Sequence, residues 1–170
     1  LKIYPYKGVK STNDTAIRLI KKNIKQGIVI SDVQTNGKGQ RGKKWISKKG
    51  NLFISIFFPI SKRLNLNKTT LINVKIIKNI LTNIIPHKIN LKLPNDLEIM
   101  NKKVCGILQE IIYKDEIKFL IIGVGININS SPKLKEYETT YINKYNNKIN
   151  RSKMVHFIKN KFENKYSYYA

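Results

Sequence analysis

The glycines at 37, 39 and 42 sit in one basic stretch, Gly37-Lys38-Gly39-Gln40-Arg41-Gly42-Lys43-Lys44-Trp45. The residues on its C-terminal side constrain the fold more than anything else in the chain. The spacing fits both G-x-G-x-x-G and G-x-x-x-x-G-K, and each of those phosphate loops runs straight into a helix whose N-terminus holds the anion. A P-loop also needs a Ser or Thr hydroxyl after its Lys to reach a metal ion; that position is Lys44. The next residues are Trp45-Ile46-Ser47-Lys48-Lys49-Gly50-Asn51, a turn, and then the apolar run Leu52 to Phe58, which reads as a strand stopped by Pro59. A P-loop fold and a doubly wound dinucleotide fold are therefore both excluded. Two readings are left: a loop that wraps an anion with its own amides and with Lys38, Arg41 and Lys43, or a solvated basic hairpin.

The surrounding pattern is α+β. Ser11-Thr12-Asn13-Asp14 offers caps to an amphipathic helix with Ala16, Ile17, Ile20 and Ile24, running to about Gln26 and ended by Gly27. Residues Ile28 to Val33 read as a buried strand. Leu66 to Ile85 repeat apolar positions at helical spacing up to Pro86. Strands come next at Asn90–Leu93, Leu97–Met100, Val104–Tyr113 and Ile117–Ile126, with turns at Asn101-Lys102 and Lys114-Asp115-Glu116, and a last helix carries Met154, Val155, Phe157, Ile158 and Phe162. Strands in runs with helices at the ends and in the middle predict a mixed, mostly antiparallel sheet flanked by helices.

At 170 residues, 41% apolar and 25% charged, the chain is expected to form one soluble domain. No apolar run is long enough for a membrane span, and no cleavable signal is expected at the N-terminus. The single Cys105 fits a reducing compartment. The formal charge of +23 would suggest a polyanion partner. The lysines are scattered, however, and accompany Asn and Ile, whose codons are also A/T-rich, so base composition accounts for most of the excess.

Three further segments bear on chemistry. Lys92-Leu93-Pro94-Asn95-Asp96 places two short polar side chains after a Pro between strands. Lys103 opens an apolar strand, either as an edge gatekeeper or as a phosphate clamp. Gly123 and Gly125 alternate in a buried strand, leaving room on one face for a ligand or another backbone, or marking a bulge. His87 and His156 have no partners at metal-ligand spacing.

Gln34 to Ser47, Lys92 to Asp96, Lys103-Val104-Cys105-Gly106-Ile107-Leu108 and Gly123-Val124-Gly125-Ile126-Asn127 resemble, in order and spacing, the motifs of biotin protein ligases, and Ser11-Thr12-Asn13 resembles their N-terminal biotin signature. The likeness covers roughly residues 8–130. It implies the class II aminoacyl-tRNA-synthetase-like biotin/lipoate ligase fold. It also implies an ATP-dependent enzyme that makes biotinyl-5'-AMP and transfers biotin to a Lys of the biotin carboxyl carrier protein of acetyl-CoA carboxylase. ATP, biotin and Mg²⁺ are the implied ligands, and the cytoplasm is the implied location.

By that resemblance, Ser11, Thr12, Asn13, Gln34, Gly37, Lys38, Gly39, Gln40, Lys103, Gly106 and Gly123 would bind biotin. Gln40, Arg41, Trp45, Asn95, Asp96, Lys103 and Asn127 would bind ATP or the adenylate, with Asp96 near the metal. Lys103, Lys38 and Arg41 would be catalytic. Ser11-Thr12-Asn13 also reads as a plain helix cap, Trp45 as a core residue and Cys105 as a small core filler.

Family loops carry Arg where Lys38 and Gln40 stand, so this loop is expected to retain the adenylate less firmly. Leu93 replaces the usual Trp, and Lys48 the usual Pro. Residues 1–170 read as a single catalytic domain, without the winged-helix domain some relatives have at the N-terminus or the SH3-like domain at the C-terminus. No specific DNA binding and no membrane association are expected, and a monomer or homodimer fits equally. The alternatives are a lipoate or octanoyl ligase or transferase of the same fold, and a basic nucleic-acid-binding module.

Overall fold

The structure, a computed structural model, describes residues 1–61 and 64–166. Its frame is a seven-stranded sheet in the order β1-β2-β5-β9-β8-β7-β6. The strands are β1 (Ile3–Tyr6), β2 (Gly27–Ser31), β5 (Leu52–Ile60), β6 (Ile89–Lys92), β7 (Asp96–Ile99), β8 (Lys102–Lys114) and β9 (Ile117–Ile126). Only β1 and β2 pair in parallel; every other neighbour is antiparallel. A separate hairpin, β3 (Gly37–Lys38) with β4 (Lys44–Trp45), stands off the sheet and holds the basic loop. The helices are α1 (Thr12–Lys21), α2 (Leu66–Thr82) and α3 (Arg151–Tyr166). The expected α+β architecture is the one observed.

Helices cover both faces, which explains why the central strands read as nearly continuous apolar runs. In β5, Leu52, Ile54, Ile56, Phe58 and Ile60 join the larger core with α2 and α3, while Phe57 packs with Ala16 and Ile20 of α1. The period of two along each strand sorts the rest. Leu120, Ile122, Val124 and Ile126 of β9 belong to the α2/α3 side, and Phe119 and Ile121 to the α1 side. α3 lays Met154, Ile158 and Phe162 into the larger core at four-residue spacing. Its last residue, Tyr166, packs its ring against Phe58 at 4.5 Å between centroids, tilted by 36°, and donates its hydroxyl hydrogen to Asn73 Oδ1 at 2.5 Å.

Several boundaries differ from the sequence expectation, each for a local reason. α1 ends at Lys21 rather than near Gln26, because Asn23 turns left-handed at φ 66°, and Gly27 begins β2 instead of ending the helix. α2 stops at Thr82, capped by Asn83, before Ile84 and Ile85. Pro59 does not stop β5. It lies past the last β2–β5 pair, Gly27 with Phe57, where one flank of β5 has no strand to receive a hydrogen bond. The β7–β8 turn is made by Met100 and Asn101, at φ 49° and 60°, so Lys102 already belongs to β8; Asp115 and Glu116 form the equivalent turn before β9. Paired left-handed residues are what a tight two-residue hairpin requires.

After β9 the chain runs back across the sheet end, and Asn51 fixes its start. The fully buried Asn51 Oδ1 accepts from the amides of Ile128, Asn129 and Ser130 at 2.9, 3.0 and 3.3 Å, and Nδ2 donates to Ser130 O at 2.8 Å. The same strap then flanks Lys103. Lys103 N donates to Glu138 O and Thr140 N to Lys103 O, both at 2.9 Å. A side chain that leaves the backbone at Lys103 therefore starts from a point held on both sides.

Candidate active site

A cavity of about 370 Å³ opens on the α1 face, past the N-terminus of that helix. The sheet supplies its floor where Gly106, Gly123 and Gly125 replace the bulky residues found elsewhere on the same face. The basic hairpin covers it. The Leu93–Asp96 turn, Lys103 and Tyr137 close the far end.

At the inner end the polar groups are wired together. Gln34 Oε1 accepts from Thr12 N at 2.8 Å and from Thr12 Oγ1 at 3.0 Å, while Gln34 Nε2 donates to Ser47 Oγ at 3.0 Å. Ser55 Oγ lies 2.8 Å from Thr12 Oγ1 and 2.5 Å from Asn13 Oδ1, and Asn13 Nδ2 donates to Glu110 Oε2 at 2.6 Å. Ser11 does cap α1, its Oγ accepting from Asp14 N at 3.4 Å. Ser11, Thr12, Asn13 and Ser55 are all buried. A buried, fully connected network of this kind holds its donors and acceptors in fixed directions.

Two close approaches explain the glycines. A Cβ on Gly123 would come within 2.4 Å of Asn13 Oδ1, and one on Gly125 within 2.5 Å of the Trp45 ring, which also lies 2.7 Å from where a Gly106 Cβ would stand. The room left by Gly106 and Gly125 is thus taken by the indole of Trp45, and that left by Gly123 by Asn13. The Trp45 Nε1 hydrogen is buried with no acceptor within reach.

The cations are held by carboxylates. Lys103 Nζ sits 2.7 Å from Asp96 Oδ2, with its side chain 14% exposed, and lies 5.4 Å from the Trp45 ring centroid and 5.2 Å from that of Tyr137. Lys38 Nζ is 2.5 Å from Asp14 Oδ1 and 3.7 Å from Glu110 Oε1. The hydrogen bond that Lys38 donates to Asp14 raises the Lys38 pKa, with the Glu110 charge adding to it. Lys43 pairs with Glu136 of the strap at 2.7 Å, and Lys92 with Glu98 at 3.0 Å. Asn95 Nδ2 donates to Ile107 O at 2.6 Å, which fixes the turn that presents Asp96.

Of the residues expected at the site, Ser11, Thr12, Asn13, Gln34, Lys38, Gly39, Gln40, Arg41, Trp45, Asn95, Asp96, Lys103, Gly106 and Gly123 all line this one cavity. Gly37 and Asn127 do not. Gly37 forms the stem of the hairpin opposite Trp45. Asn127 is buried and donates Nδ2 to Thr140 O at 3.1 Å, so it supports the strap from beneath. Three contributors were not anticipated: Tyr137 in the lining, and Ser55 and Glu110 behind it, both bonded to Asn13. Ser55 could have been found as the lone hydroxyl in an apolar strand, and Glu110 as the charge in the apolar run of β8. Tyr137 carries no local signal.

Among the described residues no group of three His, Cys, Asp or Glu side chains could hold a metal ion by itself. Asp96 and Glu98 both line the cavity, each paired with a lysine, Lys103 and Lys92 respectively. Cys105 is free and wholly buried, and burial pushes its thiol pKa far up, so it is chemically inert. No helix among the described residues is long and apolar enough to cross a membrane.

Fold and cavity together define an α+β domain in which a basic hairpin covers a cavity floored by the sheet. The chain belongs to the biotin/lipoate A/B protein ligase family, whose sequence profile matches residues 6–127. The bifunctional ligase/repressor BirA of Bacillus subtilis is 32% identical over 173 residues, covering 95% of this chain and 52% of the relative. The chain thus spans about half the length of that curated relative. Biotin protein ligase from Aquifex aeolicus, solved in complex with biotin and ATP, superposes with a TM-score of 0.81 at 29% identity, covering 96% of this chain and 69% of that one. Biotin protein ligase from Leishmania major, in complex with biotinyl-5-AMP, shares the fold with a TM-score of 0.81 at 23% identity, over 99% of this chain and 76% of that one.

Proposed function

We propose that this domain activates biotin with ATP as biotinyl-5'-AMP and transfers the biotinyl group to one Lys of a biotin carboxyl carrier protein. The observation that carries this reading is the polarity of the cavity. A wired set of neutral donors and acceptors, Thr12, Asn13, Gln34 and Ser55, lies at one end, and Lys103 with Asp96 lies at the other. A ligand with a neutral hydrogen-bonding ring at one end of an apolar chain and a carboxylate at the other matches that division.

In the first step a carboxylate oxygen attacks the α-phosphorus of ATP and pyrophosphate leaves with the bonding pair. Two anions must meet, so positive charge at the meeting point lowers the barrier. Lys103 supplies it on release from Asp96, with Lys38 and Arg41 on the hairpin. Asp96 would help hold a Mg²⁺ ion, which would supply further charge neutralisation when bound. In the second step the neutral carrier amine attacks the acyl carbon, AMP leaves with the bonding pair, and the amine proton passes to solvent. Neither step needs an enzyme nucleophile, so positioning carries most of the rate.

The basic surface favours an acidic carrier. The proposed reaction involves no DNA partner and no membrane, and the enzyme would work, as monomer or homodimer, in the cytoplasm, where the free thiol of Cys105 is stable.

The test is a mixture of the protein with ATP, Mg²⁺, biotin and a carrier domain, monitored for pyrophosphate and for labelled carrier, with lipoate as the control acid. Pyrophosphate and biotinylated carrier are expected with biotin only; turnover with lipoate and none with biotin would overturn the reading. Gln40 lines the cavity from the hairpin but brings no charge to the adenylate. Gln40→Arg is expected to slow adenylate loss about tenfold, the gain of one charge-assisted hydrogen bond, as measured by chasing bound adenylate with unlabelled biotin.

A further inference from the structure

Glu110 stands behind the cavity wall, in contact with two of its lining residues, Asn13 and Lys38, and the proposed chemistry does not use it. Its two carboxylate oxygens address two different parts of the site. Oε2 accepts from Asn13 Nδ2 at 2.6 Å, and Oε1 lies 3.7 Å from Lys38 Nζ on the covering hairpin. Asn13 is 3% exposed, and its other amide atom, Oδ1, meets Ser55 Oγ at 2.5 Å. An acceptor-only carboxylate on one side and a hydroxyl on the other fix which way the amide points. The second anchor of Lys38 is Asp14, the residue after Asn13 in α1, at 2.5 Å. The hairpin cation is therefore held by the same two elements, α1 and β8, that orient Asn13.

We propose that Glu110 is a positioning residue that couples closure of the basic hairpin to the orientation of Asn13 on the cavity floor. With the hairpin down, Lys38 neutralises the Glu110 carboxylate, which stays facing Asn13. With the hairpin away, the carboxylate, its side chain 29% exposed, loses its cation and turns toward water, and Asn13 loses the partner that fixes its amide. Coupling of this kind is reciprocal: a ligand that uses Asn13 favours the closed hairpin, and a closed hairpin tightens the ligand. The inference rests on biotin being that ligand.

The variants separate the two oxygens. Glu110→Gln keeps an amide oxygen for Asn13 and removes the charge that Lys38 meets. Glu110→Ala removes both. Lys38→Met breaks the contact from its exposed end and leaves the floor intact. Biotin affinity is read from the fluorescence of Trp45, the only tryptophan in the chain, or by calorimetry, and adenylate loss by isotope chase.

Glu110→Gln and Lys38→Met are each expected to speed adenylate loss about tenfold and to raise biotin Kd about fivefold, the low end of a reciprocal coupling, and the double variant to be no worse than either single. Glu110→Ala is expected to raise biotin Kd about tenfold as well, the equivalent of one lost charge-assisted hydrogen bond. An unchanged loss rate in Glu110→Gln, multiplying effects in the double variant, or an unchanged biotin Kd in a folded Glu110→Ala protein would each overturn the coupling. Failure of the unaltered protein to bind biotin would instead overturn the functional reading on which the coupling stands.

Discussion

Lys103→Met lowers the rate of pyrophosphate release by about a hundred- to a thousandfold, the range seen when one preorganised donor is removed from a developing anionic charge, while biotin binding changes far less. Three features of this lysine argue for so large an effect. Its main chain is hydrogen-bonded on both sides to the strap, through Glu138 O and Thr140 N. Its ammonium group lies beside two aromatic faces, Trp45 and Tyr137, which bind a cation without neutralising it. Its one carboxylate partner, Asp96, is itself at the cavity wall. Met keeps most of the side-chain volume, so the rings retain their contact, but the cation that would meet the incoming carboxylate and phosphate is gone. Single-turnover pyrophosphate release at saturating biotin and ATP isolates this step from carrier transfer. A Lys103→Met protein that keeps more than a tenth of the rate would remove Lys103 from the chemistry and leave the edge-gatekeeper role for it.

The fold was legible where periodicity was strong. β5, β8 and β9 announce themselves by long apolar runs, and the helix at Leu66 by its spacing. It was less legible where a single residue decides a boundary. Nothing in Asn23 says locally that it will turn left-handed, and Pro59 stops a strand or not according to whether a neighbour needs its missing donor. The site divides in the same way. Residues contiguous with a motif, such as Asn13, Gln34 and Lys103, line one cavity. Tyr137 is brought to Lys103 by a segment with no regular structure, held by the three amide contacts of Asn51, and no short-range pattern encodes that. Asn127 shows the converse: a residue inside a motif whose work is to hold the strap from beneath the cavity. Position in a motif and contact with a ligand are separate properties.

Gly123→Ala raises the Kd for biotin by roughly 5- to 150-fold, on the usual overpacking cost of about 1–3 kcal/mol, and Gly125→Ala, two residues on, produces a different defect. Both glycines lie on the same face of β9, and β5 and β8 pair with β9 along the length that carries them. An added methyl on Gly123 stands 2.4 Å from Asn13 Oδ1, 3.1 Å from its Cγ and 3.2 Å from its Nδ2. A flexible side-chain end would swing away at little cost. Asn13 is buried, joined to Glu110 and Ser55, and set in the first turn of α1, so it moves only by breaking those bonds.

The added methyl on Gly125 meets the indole of Trp45 instead, at 2.5 Å from Cε2. It therefore displaces the hairpin's anchor and leaves the floor network alone. Gly125→Ala is expected to change Trp45 fluorescence and slow adenylate formation, with biotin Kd within a fewfold of the unaltered protein. The strand itself survives both changes, because Ile122, Val124 and Ile126 on its other face keep their packing against the larger core. Both variants should unfold at a temperature lower by about 2–4 °C for each kcal/mol of overpacking, while the two binding defects part company. Calorimetric titration with biotin decides the matter, since equal affinities for the two variants would mean that Asn13 does not hold the ligand.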